Sequence, residues 1–164
     1  MKGFLASPFI LALLGLTGCI HSKYYEGPEL SRSDTAEIWT YVTGDNPMGL
    51  AAIDGRRLRR GRAGVASVLP AKYVVELRTL NTQLVRGDTP GGDKYIGVVT
   101  LSFEARSGYS YLFKSAGAWS NLIACVYEDL QNDPKARIRW GGDVRDLGEN
   151  ARKLDCSPAG LQRQ

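Results

Sequence analysis

Residues 96–105 carry the clearest strand pattern of the chain, and from Val99 onward apolar and polar positions alternate. Val99, Leu101, Phe103 and Ala105 share one parity; Thr100, Ser102, Glu104 and Arg106 share the other. That is the period-2 signature of a half-buried strand. Past Ser107-Gly108 the pattern turns back, with Tyr109, Tyr111 and Phe113 set against Ser110, Leu112 and Lys114. Shorter segments of the same kind precede it. The stretch 38–42 is β-branched and aromatic and stops at the turn residues of 44–47. The stretch before it, Ser33-Asp34-Thr35-Ala36-Glu37, has helix-start residues, but no apolar stripe of helical period follows. A short strand over 50–53 leads into Asp54-Gly55, a strong hairpin dipeptide, with Arg56-Arg57-Leu58 as its return arm. Residues 64–69 form a strand that ends at Pro70. In 73–80, Tyr73, Val75 and Leu77 oppose Val74, Glu76 and Arg78. From Thr82 to Lys94 the run Gly87-Asp88-Thr89-Pro90-Gly91-Gly92-Asp93 predicts a mobile loop.

The pattern is weaker after residue 114. Residues 122–127 are apolar and short, and fit a buried strand or part of a helix. A turn at Asn132-Asp133-Pro134-Lys135 is followed by renewed alternation over 136–140, so a hairpin of these two segments is preferred. Residues 147–154 predict a short helix. Short strands at regular spacing argue a mainly β fold: a single antiparallel β-sandwich of about seven to eight strands, with a barrel as the neighbouring solution.

The chain begins differently. Lys2 precedes an apolar run over 4–16, broken only by Ser7, Pro8 and Gly15, and then comes Leu16-Thr17-Gly18-Cys19. The run is about 13 residues, short of the roughly 17–25 a membrane span needs. It also lacks the Ala-x-Ala ending of an ordinary secretory signal. A small pair directly before cysteine resembles the lipobox of bacterial lipoprotein signal peptides. The resemblance implies that 1–18 is removed and that Cys19 becomes the new N-terminus, carrying palmitate-type acyl chains. It places the remainder outside the cytoplasm. Ile20, in place of aspartate after the cysteine, implies the outer membrane, on its periplasmic side. The expected layout is a signal peptide over 1–18, a lipidated N-terminus and tether over 19–33 with Tyr24 and Tyr25 as an aromatic grip, and one domain over 34–164. With Cys19 lipidated, Cys125 and Cys156 remain, and an oxidising compartment favours their pairing as a disulfide over two buried thiols. That bond would close a loop of about 32 residues, worth roughly 3–4 kcal/mol, and tie down the C-terminal extension. Two cysteines so far apart, with no nearby histidine, do not make a zinc site. No metal or cofactor is expected.

A second resemblance rests on the order of several short motifs. Tyr25-Glu26-Gly27-Pro28-Glu29-Leu30, then Ile53-Asp54-Gly55, then Leu69-Pro70-Ala71-Lys72-Tyr73-Val74-Val75 are similar to segments of small bacterial lipoproteins of unknown function. The strand Leu101-Ser102-Phe103-Glu104-Ala105 with Gly108 and Tyr111 completes the series. The layout also resembles PEGA-type modules, which are small β-sandwiches. Ala71 stands where those proteins have glycine. The resemblance implies a fold and carries no catalytic residue.

Candidate chemistry is sparse. His21 is the single histidine. It lies in the expected tether, where it cannot serve a triad that needs a rigidly held imidazole. The carboxylate pairs Glu26/Glu29, Glu128/Asp129 and Asp143/Asp146 read as solvated surface charge, since nothing marks a cleft between them. The acidic stretch 143–150 lacks calcium-loop spacing. Phosphate-loop and dinucleotide signatures are missing.

Overall charge is mild, with 21 Lys+Arg against 17 Asp+Glu. Arg56, Arg57, Arg59, Arg60 and Arg62, however, place five arginines within seven residues. Guanidinium forks suit phosphates and carboxylates. Behind a lipid anchor the cluster is a candidate for anionic lipid, lipopolysaccharide or an acidic envelope protein. The competing reading is a charged strand edge that blocks aggregation. Nucleic acid is not expected. The function these readings favour is a non-catalytic, lipid-anchored binding or structural protein of the envelope. An inhibitor of lytic enzymes is the alternative, and a glycan-processing enzyme is a more distant one.

Overall fold

The alternation around residue 100 becomes the longest of the described strands. The computed structural model describes residues 21–44, 48–58, 64–79, 83–84, 94–117, 121–134, 136, 138–139 and 144–163. The strands in chain order are β1 (His21–Lys23), β2 (Ala36–Gly44), β3 (Met48–Ile53), β4 (Arg56–Arg57), β5 (Val65–Val68), β6 (Lys72–Thr79), β7 (Gln83–Leu84), β8 (Lys94–Glu104), β9 (Tyr109–Ala116), β10 (Ile123–Leu130), β11 (Ile138–Arg139), β12 (Val144–Arg145), β13 (Arg152–Pro158) and β14 (Gly160–Arg163). A 3₁₀ turn, Arg32–Asp34, precedes β2. The fold is mainly β, as the pattern predicts.

One sheet takes in most of these strands, in the spatial order β13-β10-β9-β2-β3-β6-β8-β14, with β1, β4, β5 and β7 attached at its sides. Its ladders are antiparallel except β2 with β9 and β1 with β5. The two ends of this order are a single stretch of chain. β13 pairs with β10 and β14 pairs with β8, and only Ala159 separates them. The Ala159 N–H donates to the Leu122 carbonyl at 2.8 Å. The sheet therefore curls until its ends nearly meet around one core.

That core follows the parity of the strands. Val99, Leu101, Phe103 and Ala105 are buried, while Thr100, Ser102 and Glu104 face solvent. Phe103 stacks on Tyr111 with ring centroids 4.7 Å apart and meets Phe113 edge-on at 6.2 Å, both favoured aromatic geometries. The Asp54-Gly55 hairpin forms as predicted: both residues have positive φ, 47° and 74°, and β4 pairs back on β3. Positive φ at both central positions is the type I′ arrangement that suits the twist of paired strands.

Four expectations change. The tether is partly structured, because His21–Lys23 pairs in parallel with the open edge of β5. Backbone pairing of this kind leaves no side-chain pattern in a three-residue segment. The hairpin of 122–127 with 136–140 does not form: β11 pairs instead with β12, in a separate two-stranded sheet. The short helix over 147–154 is absent. Residues 148–151 make a turn, and β13 follows, docked on β10. An isolated helix that short is marginal, whereas β10 offers a full edge of hydrogen bonds. Within 82–94, Gln83–Leu84 pairs with Lys94 and Tyr95 of β8, and residues 85–93 lie outside the described residues. The signal segment, Cys19, Arg59, Arg60, Arg62 and Asp143 also lie outside them.

Candidate functional site

Two adjacent carboxylates on β10, Glu128 and Asp129, organise the charged side chains of the sheet. Alternation sends them to opposite faces. Glu128 continues the inward parity of Ala124 and Val126 and is 4% exposed. Buried at that level, a carboxylate needs partners, and it has three. The Tyr111 hydroxyl donates to Oε2 at 2.9 Å. Arg106 donates through Nε to Oε2 at 3.0 Å and through Nη2 to Oε1. Arg152 donates to Oε1 at 3.1 Å. Burial pushes the Glu128 carboxyl up, but the hydrogen bonds from Arg106 and Tyr111 and the charges of both arginines outweigh it. The carboxyl is held below its usual range. The Tyr111 phenol is pushed up to about 12, first by burial and further by Glu128. At neutral pH the Glu128 carboxylate is therefore an ionised acceptor ringed by donors, and the Tyr111 hydroxyl keeps its proton.

The cluster floors an open cleft of about 290 Å³ lined by Ser102, Phe103, Glu104, Arg106, Glu128, Arg152, Leu154 and Asp155. The cleft lies between β8, which contributes Ser102, Phe103 and Glu104, and β13, which contributes Arg152, Leu154 and Asp155, past the β8 residues that β14 pairs with. Arg106 also lies 4.3 Å over the Tyr109 ring.

Asp129 points outward and is nonetheless buried at 1%. The segment 144–148 folds over it. Arg145 donates to Asp129 Oδ2 at 3.1 Å, and the Gly148 N–H donates to the same oxygen at 3.0 Å. Arg145 also donates to Ser110 Oγ at 2.5 Å and to the Gln131 carbonyl at 3.3 Å. Ser110 in turn donates to Glu37 Oε2 at 2.9 Å, and Arg32 stands 3.5 Å from Glu37 Oε1. Gly148 lets the segment come this close: a Cβ there would stand 2.1 Å from Asp133 Oδ2 and 2.9 Å from Asp129 Oδ2, so a larger residue would have to displace both carboxylates. Beside this network Trp39, Val65 and Leu112 form a small second apolar cluster, with Leu147 packed against it.

The reading of Glu128 and Asp129 as solvated charge is thus corrected. For Glu128 the signal was present, since it shares the parity of Ala124 and Val126. For Asp129 it was not, because its cover comes from a distant segment.

Of the other expected residues, Cys125 and Cys156 face each other across β10 and β13 and are joined by a disulfide. Arg56 and Arg57 are exposed on β4, away from the cleft. The Arg56 guanidinium lies 5.6 Å over the Tyr24 ring, and the Tyr24 hydroxyl donates to the Arg56 carbonyl at 3.4 Å. Lys23 Nζ lies 5.0 Å over the Tyr25 ring. Among the described residues no group of three or more His, Cys, Asp and Glu could hold a metal ion. Among the same residues no helix is long and apolar enough to cross a membrane. No family model, curated protein or solved structure matches the chain.

Proposed function

We propose that this protein is a lipid-anchored binding or structural protein of the bacterial envelope, without catalytic activity, facing the periplasm from the outer membrane. The observation that carries the reading is the division among its three cysteines. Cys125 and Cys156 are bonded to each other within the sheet, a pairing that suits an oxidising compartment. Cys19 is the one outside that pair. It follows Leu16-Thr17-Gly18 and comes two residues before the first strand, at the junction where a lipobox cysteine belongs.

The charged clusters favour binding or structure over catalysis. A glycan-cleaving acid needs a carboxyl whose pKa is raised, and that of Glu128 is lowered. Asp129 is engaged by Arg145 and two backbone N–H groups.

Intact-mass analysis of the mature protein from a bacterial host tests the reading. The expected species starts at Cys19, carries acyl chains and fractionates with the outer membrane. Cys19→Ala loses the acyl mass and the membrane association. A mature chain that keeps residues 1–18, or that is acyl-free and soluble, overturns the proposal. Cross-linking in the same cells, with Cys19→Ala as control, then identifies an envelope partner.

A further inference from the structure

We infer that the sector built by β1, β5 and the β3–β4 hairpin is the membrane-facing side of the barrel, and that its partner is an anionic phospholipid surface. The inference rests on the lipid-anchored reading and adds an orientation to it.

The first argument is length. β1 is paired with β5 from its first residue, His21 opposite Val65. Cys19 lies two residues earlier, and at no more than about 3.6 Å per residue the anchor is held within about 7 Å of His21. A leash that short cannot let the sector carrying β1 stand off the bilayer.

The second argument is charge. Lys23 ends β1, and Arg56 and Arg57 form β4, all three exposed. They are positioned rather than loose. The Tyr24 N–H donates to the Ser67 carbonyl at 2.8 Å, which fixes Tyr24 against β5, and its ring underlies Arg56 of β4. Tyr25 underlies Lys23 in the same way, and its hydroxyl accepts from the Leu30 N–H at 3.0 Å. Tyrosines with a wet polar end suit the headgroup level of a membrane, and basic side chains beside an anchor are drawn to anionic lipid. Asp54, at the hairpin tip, spends Oδ1 on the Val74 N–H at 2.8 Å.

The third argument is apolar exposure on the same edge. Leu69, just beyond β5, and Val74, hydrogen-bonded to the hairpin tip, are both exposed. Glu26 and Glu29, on the turn after β1, oppose the attraction.

The test uses the mature lipidated protein in lipid nanodiscs, with its acyl mass confirmed first. A missing acyl mass counts against the anchor alone and is seen before reconstitution. Hydrogen exchange is then compared between discs of neutral phosphatidylcholine and discs containing phosphatidylglycerol. Exchange over 21–31 and 53–58 is expected to slow several-fold on the anionic discs, while 112–116 and 152–158 stay unchanged. High salt and the triple variant Lys23→Gln/Arg56→Gln/Arg57→Gln are each expected to remove the difference, and Glu26→Gln/Glu29→Gln to enlarge it. Slowing that ignores lipid charge, that survives the triple variant, or that falls on 112–116 and 152–158 overturns the inference.

Discussion

Glu128 and Asp129 occupy consecutive positions on β10, and both face arginine, yet the two sites obey different electrostatics. The arginines around Glu128 keep contact with water: the Arg106 and Arg152 side chains are 51% and 66% exposed. Their attraction to the carboxylate is screened, and solvent can replace a partner that leaves. Around Asp129 there is no such reserve, with 0% exposure for its side chain and 2% for Arg145. A sealed ion pair contributes little beyond a well-packed apolar pair, but removing one member strands the other. The inner cluster is therefore an adjustable rim at the cleft, and the outer one is a fastener that holds 144–148 on the sheet.

The largest effect expected from breaking this contrast comes from Arg145→Met. It leaves Asp129 without its cation and should cost about 3–5 kcal/mol in urea denaturation. Adding Asp129→Leu should recover part of that loss, and a single variant that costs under about 1 kcal/mol would mean the site is wetter than its burial indicates.

Next comes Cys125→Ser/Cys156→Ser, expected to cost about 3 kcal/mol by freeing the closed loop. Because β13 carries Arg152, this variant should speed hydrogen exchange over 152–158 ahead of 144–148. The reverse order would place the weak point at the fastener.

A smaller effect concerns acid. The folded Glu128 carboxyl lies below its usual range, so its contribution is present above the unfolded value of about 4.3 and is lost as pH falls through the folded value. Glu128→Gln should flatten the stability curve below about pH 5. An acid limb of unchanged slope would assign that loss to other carboxylates. The smallest effect is that of Arg152→Gln, under about 1 kcal/mol, measured by the same denaturation.

The contrast also marks how far the sequence could be read. β8 was legible because one of its faces meets solvent, so parity alone separates Val99 and Leu101 from Thr100 and Ser102. β9 was half legible. Its inner parity, Tyr111 and Phe113, is correct, but Ser110 and Leu112 on the outer parity are buried as well. Their cover is supplied by Leu147 and by Arg145, which reaches Ser110 from 35 residues away, and no local pattern encodes that fold-back. β1 and β13 were missed for a related reason: they are held largely by backbone ladders to β5 and β10. Of the arginine cluster, plain in the sequence, the structure places Arg56 and Arg57 on β4.

The single-residue break at Ala159 has a kinetic consequence. Residues 152–163 are shared between β10 and β8, so neither edge is satisfied until this one segment has docked on both. Pairings such as Gly160 with Val98, and the parallel join of β2 to β9, span long stretches of chain. Loop closure of that length makes folding slow. Throughout that interval the chain presents two bare strand edges, each able to accept a strand from a neighbouring copy. A chain halted before Arg152 would be an open sheet with an unpartnered Cys125, prone to mispairing, rather than a smaller version of the same barrel.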